Sequence, residues 1–222
     1  MKFMFRILFV FSLIPSVHSF AQEPFPYWNE VQQLKQKDSL AFPSSGQILF
    51  IGSSSFTRWK DVQKYFPGYS VLNRAFGGST LADLIRYRYD VIYPYQPRQI
   101  VMYCGENDFA SSDTVTVEIV LQRFQTLFKL IRFRYPEVPF TYVSMKPSPS
   151  RKRLHPKYEE ANSRIQSFLK KYSRTSFVDV YHSMLQKDGS PKAGLFVQDS
   201  LHMNANGYAI WKKLIQPYLK KK

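Results

Sequence analysis

Five short apolar runs recur along the chain, and each is bounded by glycine, proline or charged residues. The runs are rich in valine, isoleucine and aromatic residues, a composition typical of strands buried in a parallel sheet. They predict strands over Gln47–Ile51, Tyr69–Ala75, Gln99–Cys104, Phe140–Met145 and Thr175–Val180.

The segments between the runs have the length and spacing of amphipathic helices. In the longest of them Val120, Phe124 and Leu127 fall on one helical stripe, and Pro136 follows as a stop signal. The spacing predicts helices over Phe25–Lys37, Thr80–Tyr89, Val115–Tyr135, Tyr158–Tyr172 and Asn204–Leu219. Alternating strands and helices predict one α/β domain whose parallel sheet is joined by right-handed crossovers.

The first 21 residues have a different pattern, that of a secretory signal peptide. Lys2 and Arg6 precede an apolar run over Ile7–Val17, and Ser19–Ala21 forms a small-x-small cleavage signal before Gln22. The alternative is an uncleaved anchor, although the apolar run is short for a membrane span. We therefore expect a signal peptide over residues 1–21 and a single mature domain over residues 22–222, periplasmic or secreted, without a transmembrane segment.

Composition narrows the class of protein. A chain of 222 residues with 44% hydrophobic and 21% charged residues is globular. One cysteine excludes an internal disulfide framework and a cysteine-rich zinc site, and after export we expect Cys104 to be buried.

The net charge of +15 falls only to +13 when Lys2 and Arg6 are removed, so the mature surface suits an anionic envelope. Export and the lack of a binding motif disfavour nucleic acid.

Glycine, serine and polar residues follow the first three predicted strands, where ligands bind in open parallel sheets. Gly52-Ser53-Ser54-Ser55 follows the first, and a serine on such a strand-to-helix turn is lifted toward the pocket. A serine needs a neighbouring base to become a nucleophile. The alternative for this turn is a serine that only caps a helix.

Two histidines have an aspartate three residues earlier, a spacing that lets the carboxylate hold one ring nitrogen. These pairs are Asp179 with His182 and Asp199 with His202, and either could instead be structural. We favour His202, because Asp179 is predicted inside a strand, where residues three apart face opposite sides. His155 lies in a basic loop that disfavours its protonated form.

Acyl transfer also needs hydrogen-bond donors for the developing oxyanion. The backbone N–H groups of Ser54 and Gly78 and the side-chain amide of Asn107 are the candidates, at the ends of adjacent strands. The alternatives are a plain turn at Gly78 and an Asx turn at Asn107. Glu106 and Asp108 are interpreted as local hydrogen-bond anchors rather than catalytic acids.

Taken in order, four blocks resemble those of the SGNH (GDSL-type) serine hydrolase family. They are Gly52-Ser53-Ser54-Ser55, Asn73-Arg74-Ala75-Phe76-Gly77-Gly78-Ser79-Thr80, Gly105-Glu106-Asn107-Asp108 and Asp199-Ser200-Leu201-His202. The resemblance runs from about Gln47 to Tyr218. The first block departs from the family pattern, which has Asp where this chain has Ser53, and this departure leaves Ser55, and less so Ser53, as rival nucleophiles.

The resemblance implies a three-layer, flavodoxin-like α/β/α fold and a serine esterase without metal or cofactor. By position it implies Ser54 as nucleophile, His202 as general base and acid, and Asp199 as the carboxylate that orients it. It places the Ser54 N–H, Gly78 and Asn107 in the oxyanion hole.

For the substrate we expect a small-molecule or glycan ester with a short acyl group, chiefly acetyl on carbohydrate. The alternatives are a lysophospholipase or thioesterase with the same triad, and a non-catalytic envelope-binding protein. A basic loop after the fourth strand predicts a substrate rim of Lys146, Arg151 and Arg153. For the aromatic residues core packing is the favoured interpretation, and a sugar-stacking platform of Tyr27, Trp28, Trp59 and Phe109 is the alternative.

Overall fold

The computed structural model describes residues 25–221 of the chain. The predicted signal peptide, residues 1–21, lies outside the described residues.

The sheet has five parallel strands in the order β2-β1-β3-β4-β5. They are β1 (Ile48–Gly52), β2 (Val71–Asn73), β3 (Gln99–Tyr103), β4 (Phe140–Val143) and β5 (Thr175–Val178). The predicted five-stranded parallel sheet is therefore confirmed. Strands β2, β3, β4 and β5 end one or two residues earlier than predicted, because the last residues of each predicted run lie in the loops at the carboxyl edge.

Helices connect the strands. The α-helices are α1 (Trp28–Leu40), α2 (Ser54–Thr57), α3 (Val62–Tyr65), α4 (Leu81–Arg86), α5 (Arg88–Val91), α6 (Glu106–Ser111), α7 (Val117–Arg134), α8 (His155–Leu169) and α9 (Ala205–Ile215). Short 3₁₀ turns cover Pro149–Leu154, His182–Met184, Ala193–Leu195 and Gln216–Tyr218. The helix predicted over Thr80–Tyr89 is divided, since the backbone of Tyr87 leaves helical geometry (φ −90°, ψ 12°).

Two apolar cores, one on each face of the sheet, give the three layers. Neighbouring residues of β1 point to opposite faces, so Leu49 packs into the core that contains Phe124 of α7, and Phe50 into the core that contains Trp211 of α9. Each such buried side chain contributes about 1.5–3 kcal/mol. Cys104 is buried, as predicted. Between residues 25 and 221 the structure contains no helix with the length and apolar character of a membrane span.

A close backbone contact ends β1 and fixes the turn that follows it. Gly52 has φ +133°, and a Cβ atom there would lie 1.8 Å from the Tyr103 carbonyl oxygen on β3. The next residue, Ser53, donates its N–H to the same oxygen at 3.0 Å. Only glycine fits here, so the turn is held against β3 by its own backbone.

We predict that Gly52→Ala lowers the free energy of unfolding by about 3 kcal/mol or more, because the methyl group collides with backbone that cannot move aside. Urea denaturation measures the loss. Gly194→Ala is the matched control, since a Cβ at this exposed position meets no atom within 4 Å. Equal stability of the two variants would contradict the close contact.

Candidate active site

A pocket of about 440 Å³ opens at the carboxyl edge of the sheet, beyond the ends of the strands that precede the serine, glycine and asparagine blocks. It is lined by residues from four separate blocks of sequence, together with residues of α1 and the loop after β4: Glu30, Ser54, Arg58, Gly78, Asn107, Arg151 and His202. The structure therefore brings most of the predicted site residues into one cavity. Glu30 and Arg58 were not predicted, and no motif marks either of them.

Ser54 is the serine of the first block that faces the histidine. It is the first residue of α2, and its Oγ lies 3.1 Å from Nε2 of His202, which is 148 residues away in sequence. Ser53 is buried and its hydroxyl accepts a hydrogen bond from Asn107 Nδ2, and Ser55 is also buried. Of the three serines only Ser54 contacts a histidine.

Asp199 holds the other side of the His202 ring. Its Oδ2 lies 2.6 Å from Nδ1, and its Oδ1 accepts the backbone N–H groups of Leu201 (2.9 Å) and His202 (2.8 Å). With the carboxylate as acceptor, Nδ1 carries the hydrogen and Nε2 has a free lone pair toward Ser54. Burial acts to raise the pKa of Asp199, but the hydrogen bonds from His202 and Leu201 outweigh it and hold this pKa well below its usual range.

The second aspartate–histidine pair has the same local geometry but a different place. His182 Nδ1 lies 2.6 Å from Asp179 Oδ2, in a separate pocket lined by Glu159 and Tyr181. The expectation that Asp179 lies inside a strand is wrong: β5 ends at Val178, so the Asp179 carboxylate is free to reach His182. Contact with Ser54 distinguishes the two pairs, because His202 makes this contact and His182 does not.

His155 is not in the pocket. It is buried, and its Nε2 lies 3.0 Å from the carbonyl oxygen of Ser148.

The loop after β2 places Gly78 at the pocket with φ +78°. The hydroxyl of Tyr27, at the start of α1, donates to the Gly78 carbonyl oxygen at 2.9 Å. The N-terminal segment therefore fixes the loop that carries one predicted oxyanion donor.

Asn107, at the start of α6, lies between two blocks. Its Nδ2 donates to Ser53 Oγ (2.6 Å) and to the Ser79 carbonyl oxygen (3.1 Å), and its Oδ1 accepts from Arg151 Nη2 (2.9 Å). Both amide hydrogens thus have partners inside the protein. Donation to a substrate oxygen requires exchange of one partner, and the hydroxyl of Ser53 is the one next to Ser54.

The predicted rim is reduced to one residue, Arg151. Lys146 does not lie at the rim: its side chain is 1% exposed, and its ammonium group binds the Glu106 carboxylate at 3.0 Å. Burial lowers the pKa of Lys146 even though Glu106 stabilises its charge. Arg153 is 67% exposed, pairs with Asp113 and does not line the pocket. Lys146 points inward because the chain stays buried for several residues after β4 ends at Val143, and Glu106 lies there as its partner.

The predicted anchors behave as local hydrogen-bond partners. Glu106 neutralises Lys146, and Asp108 accepts the Leu81 N–H at 2.9 Å and pairs with Arg123 at 2.8 Å. Trp59 and Phe109 are buried, as the core-packing interpretation expects, and they cannot stack on an exposed sugar. Among residues 25–221, no cluster of three histidine, cysteine or acidic side chains is arranged to hold a metal ion.

Comparisons with known proteins agree with this architecture. The model of the GDSL-like lipase/acylhydrolase family matches residues 38–210. A search of curated proteins gives no match.

Among solved structures, a GDSL-like lipase from Bacteroides thetaiotaomicron is 21% identical, with a TM-score of 0.71 over 84% of this chain and 95% of that chain. A lipase/acylhydrolase from Enterococcus faecalis is 18% identical, with a TM-score of 0.59 over 80% and 98% of the two chains. A variant of a Geobacillus acetyl-xylooligosaccharide esterase is 13% identical, with a TM-score of 0.63 over 81% and 96%.

At these identities the solved structures establish the α/β/α fold, and the family model, which spans most of the chain, establishes the relationship. The chain belongs to the GDSL-like lipase/acylhydrolase family and is a carboxylic ester hydrolase.

Proposed function

We propose that the protein is an exported serine esterase that removes short acyl groups, chiefly acetyl, from carbohydrates. The observation that carries this proposal is the chain of contacts Ser54 Oγ–His202 Nε2 (3.1 Å) and His202 Nδ1–Asp199 Oδ2 (2.6 Å) in an open pocket. Export rests on the signal-peptide pattern of residues 1–21.

In the first half-reaction Ser54 Oγ attacks the ester carbonyl carbon while His202 Nε2 takes its proton. The tetrahedral intermediate collapses, the bond to the leaving alcohol breaks, and His202 returns the proton to that alcohol. Water then attacks the acyl-serine by the same route and releases the acid. Asp199 stays ionised throughout, and it stabilises the imidazolium ring and fixes its orientation.

The oxyanion that forms in each half-reaction needs donors aimed at it. The N–H groups of Ser54 and Gly78 supply two, and Asn107 supplies a third when it exchanges the Ser53 hydroxyl for the substrate oxygen. Arg151 holds Asn107 Oδ1 from behind, so the amide keeps its orientation during the exchange. In this role Arg151 is a positioning residue.

The lining of the pocket supports a small acyl group and a polar alcohol. Glu30, Arg58 and Arg151 bring charge to the wall around Ser54, and a long acyl chain laid against them would cost their hydration. The acetyl-xylooligosaccharide esterase among the structural neighbours supports the same substrate class by analogy of fold.

The function is tested with p-nitrophenyl esters from acetate to dodecanoate. We expect kcat/KM to be highest for acetate and to fall sharply beyond butyrate. Ser54→Ala should lower kcat on the order of 10⁴-fold or more, whereas Ser55→Ala, one residue along the same buried turn, should retain activity. Circular dichroism confirms that both variants fold.

A maximum at octanoate or longer esters would favour the lysophospholipase or thioesterase alternative. Activity retained in Ser54→Ala and lost in Ser55→Ala would move the nucleophile by one residue.

The positioning of Asn107 by Arg151 is tested by a matched pair of arginine variants. We expect Arg151→Ala to lower kcat about tenfold on p-nitrophenyl acetate, because a freed amide misplaces one donor. Arg153→Ala, which removes the same charge from an exposed ion pair, should change kcat little. Equal losses in the two variants would assign the effect to general charge instead.

The acid side of the pH profile is expected to follow one ionisation, because the general base must be neutral to accept the Ser54 proton. Asp199 stays charged there, because its hydrogen bonds outweigh burial and keep its pKa well below the usual range. The logarithm of kcat/KM should therefore rise with pH at a slope of about one and then level off. A slope near two would mean that Asp199 also titrates in this range.

A further inference from the structure

A second cavity, of about 360 Å³, opens directly beside the pocket of Ser54. The two cavities share Glu30, Thr57 and Gly77, so they form one continuous depression. We call the second cavity the α1 groove: its walls are Glu30, Gln33, Leu34 and Lys37 on one side and Lys60 and Asn73 on the other.

The α1 side of the groove is one face of a helix. Positions 30, 33, 34 and 37 follow the i, i+3, i+4, i+7 spacing that aligns side chains along a helix. Glu30, Gln33 and Lys37 are exposed, and within residues 25–221 no hydrogen bond or ion pair occupies their side chains. By contrast, Lys35 on another face of α1 is paired with Asp90 at 2.8 Å. The polar groups of Glu30, Gln33 and Lys37 are thus available to a ligand, whereas the Asn73 amide is bound to Phe56 and Ala75.

The helix that carries this face is fixed at both ends. At its start, Tyr27 donates to the Gly78 carbonyl oxygen at 2.9 Å, and at its end Asp38 accepts hydrogen bonds from Arg74 and Tyr95. Val31 is fully buried in the core between them. The groove is therefore formed in the free protein, and its wall is tied to the same loop that borders Ser54.

The charged, amide and apolar side chains that line the groove indicate the chemical class of its ligand. Glu30 accepts hydrogen bonds, Lys37 and Lys60 donate them, and Gln33 does both, while Leu34 supplies an apolar surface. A sugar offers hydroxyl groups that donate and accept, together with an apolar ring face. An acyl chain in this place would remove water from the charged groups without replacing their hydrogen bonds.

The α1 wall precedes the residues that the family model matches. The family match begins at residue 38, after Glu30, Gln33, Leu34 and Lys37. The catalytic residues Ser54, Asp199 and His202 lie within the match, as do Lys60 and Asn73 on the opposite wall of the groove.

We propose that the α1 groove binds the sugar units next to the acylated one, so that the N-terminal helix sets the preference for oligosaccharide over monosaccharide esters. This inference rests on the proposed function, because it requires that Ser54 reacts with an acylated glycan.

The test compares acetylated xylo-, cello- and chito-oligosaccharides with the corresponding acetylated monosaccharides and with p-nitrophenyl acetate. Wild-type protein should prefer at least one oligosaccharide over its monosaccharide. The double variant Gln33→Ala/Lys37→Ala should raise KM for that oligosaccharide about tenfold relative to the monosaccharide, the loss expected for hydrogen bonds that include a charged donor.

The double variant Gln36→Ala/Lys64→Ala is the matched control. It removes the same two side-chain types from exposed positions that do not line the groove, and it should keep the wild-type preference. Calorimetric titration of Ser54→Ala with the unacetylated oligosaccharide should show binding that the Gln33→Ala/Lys37→Ala changes weaken by a similar factor.

The outcomes separate the inference from the proposed function. Activity on acetylated sugars without any length preference, or a preference that survives in Gln33→Ala/Lys37→Ala, would overturn the inference and leave the esterase function standing. Activity on p-nitrophenyl acetate without activity on any acetylated sugar would overturn both the carbohydrate part of the function and the groove.

Discussion

The close approach of Gly52 to β3 is the constraint on which the pocket depends. The turn after β1 touches three other segments at once: Ser53 donates to the Tyr103 carbonyl oxygen, Ser79 donates its hydroxyl to the Gly52 carbonyl oxygen at 3.0 Å, and Asn107 donates to Ser53 Oγ. The loops after β1, β2 and β3 are thereby joined through two adjacent residues. A side chain at position 52 would separate all three.

A buried polar network lies behind this junction, and its opposite charges neutralise one another. Lys146 and Glu106 neutralise each other out of water, and Arg151 lies between Glu106 and Asn107, 4.0 Å from the Glu106 carboxylate. Removing one member of a buried pair leaves an uncompensated charge, which usually costs about 3–5 kcal/mol. The network therefore supports both the stability of the β4 loop and the orientation of the amide at the pocket.

Much of the fold was predictable from sequence because the apolar runs of a parallel sheet are buried on both faces and stand out clearly. The Asp199–His202 pair was visible in the sequence because its members lie three residues apart, but Asp179 and His182 have the same spacing, and only the fold brings His202 to Ser54, 148 residues away. Lys146 was placed wrongly, since nothing local distinguishes an exposed lysine from one whose partner, Glu106, is 40 residues away. The α1 wall of the groove was also missed, because its role depends on where the helix packs and not on its composition.

The central claim, that Ser54 is the residue that becomes acylated, is tested most directly by covalent labelling. A fluorophosphonate transfers its phosphonyl group to an activated serine with loss of fluoride, and mass spectrometry of the digested protein locates the modified residue. The account predicts a single adduct on Ser54 that is absent from the His202→Ala variant. An adduct on Ser53 or Ser55, or labelling that is unchanged in His202→Ala, would contradict it.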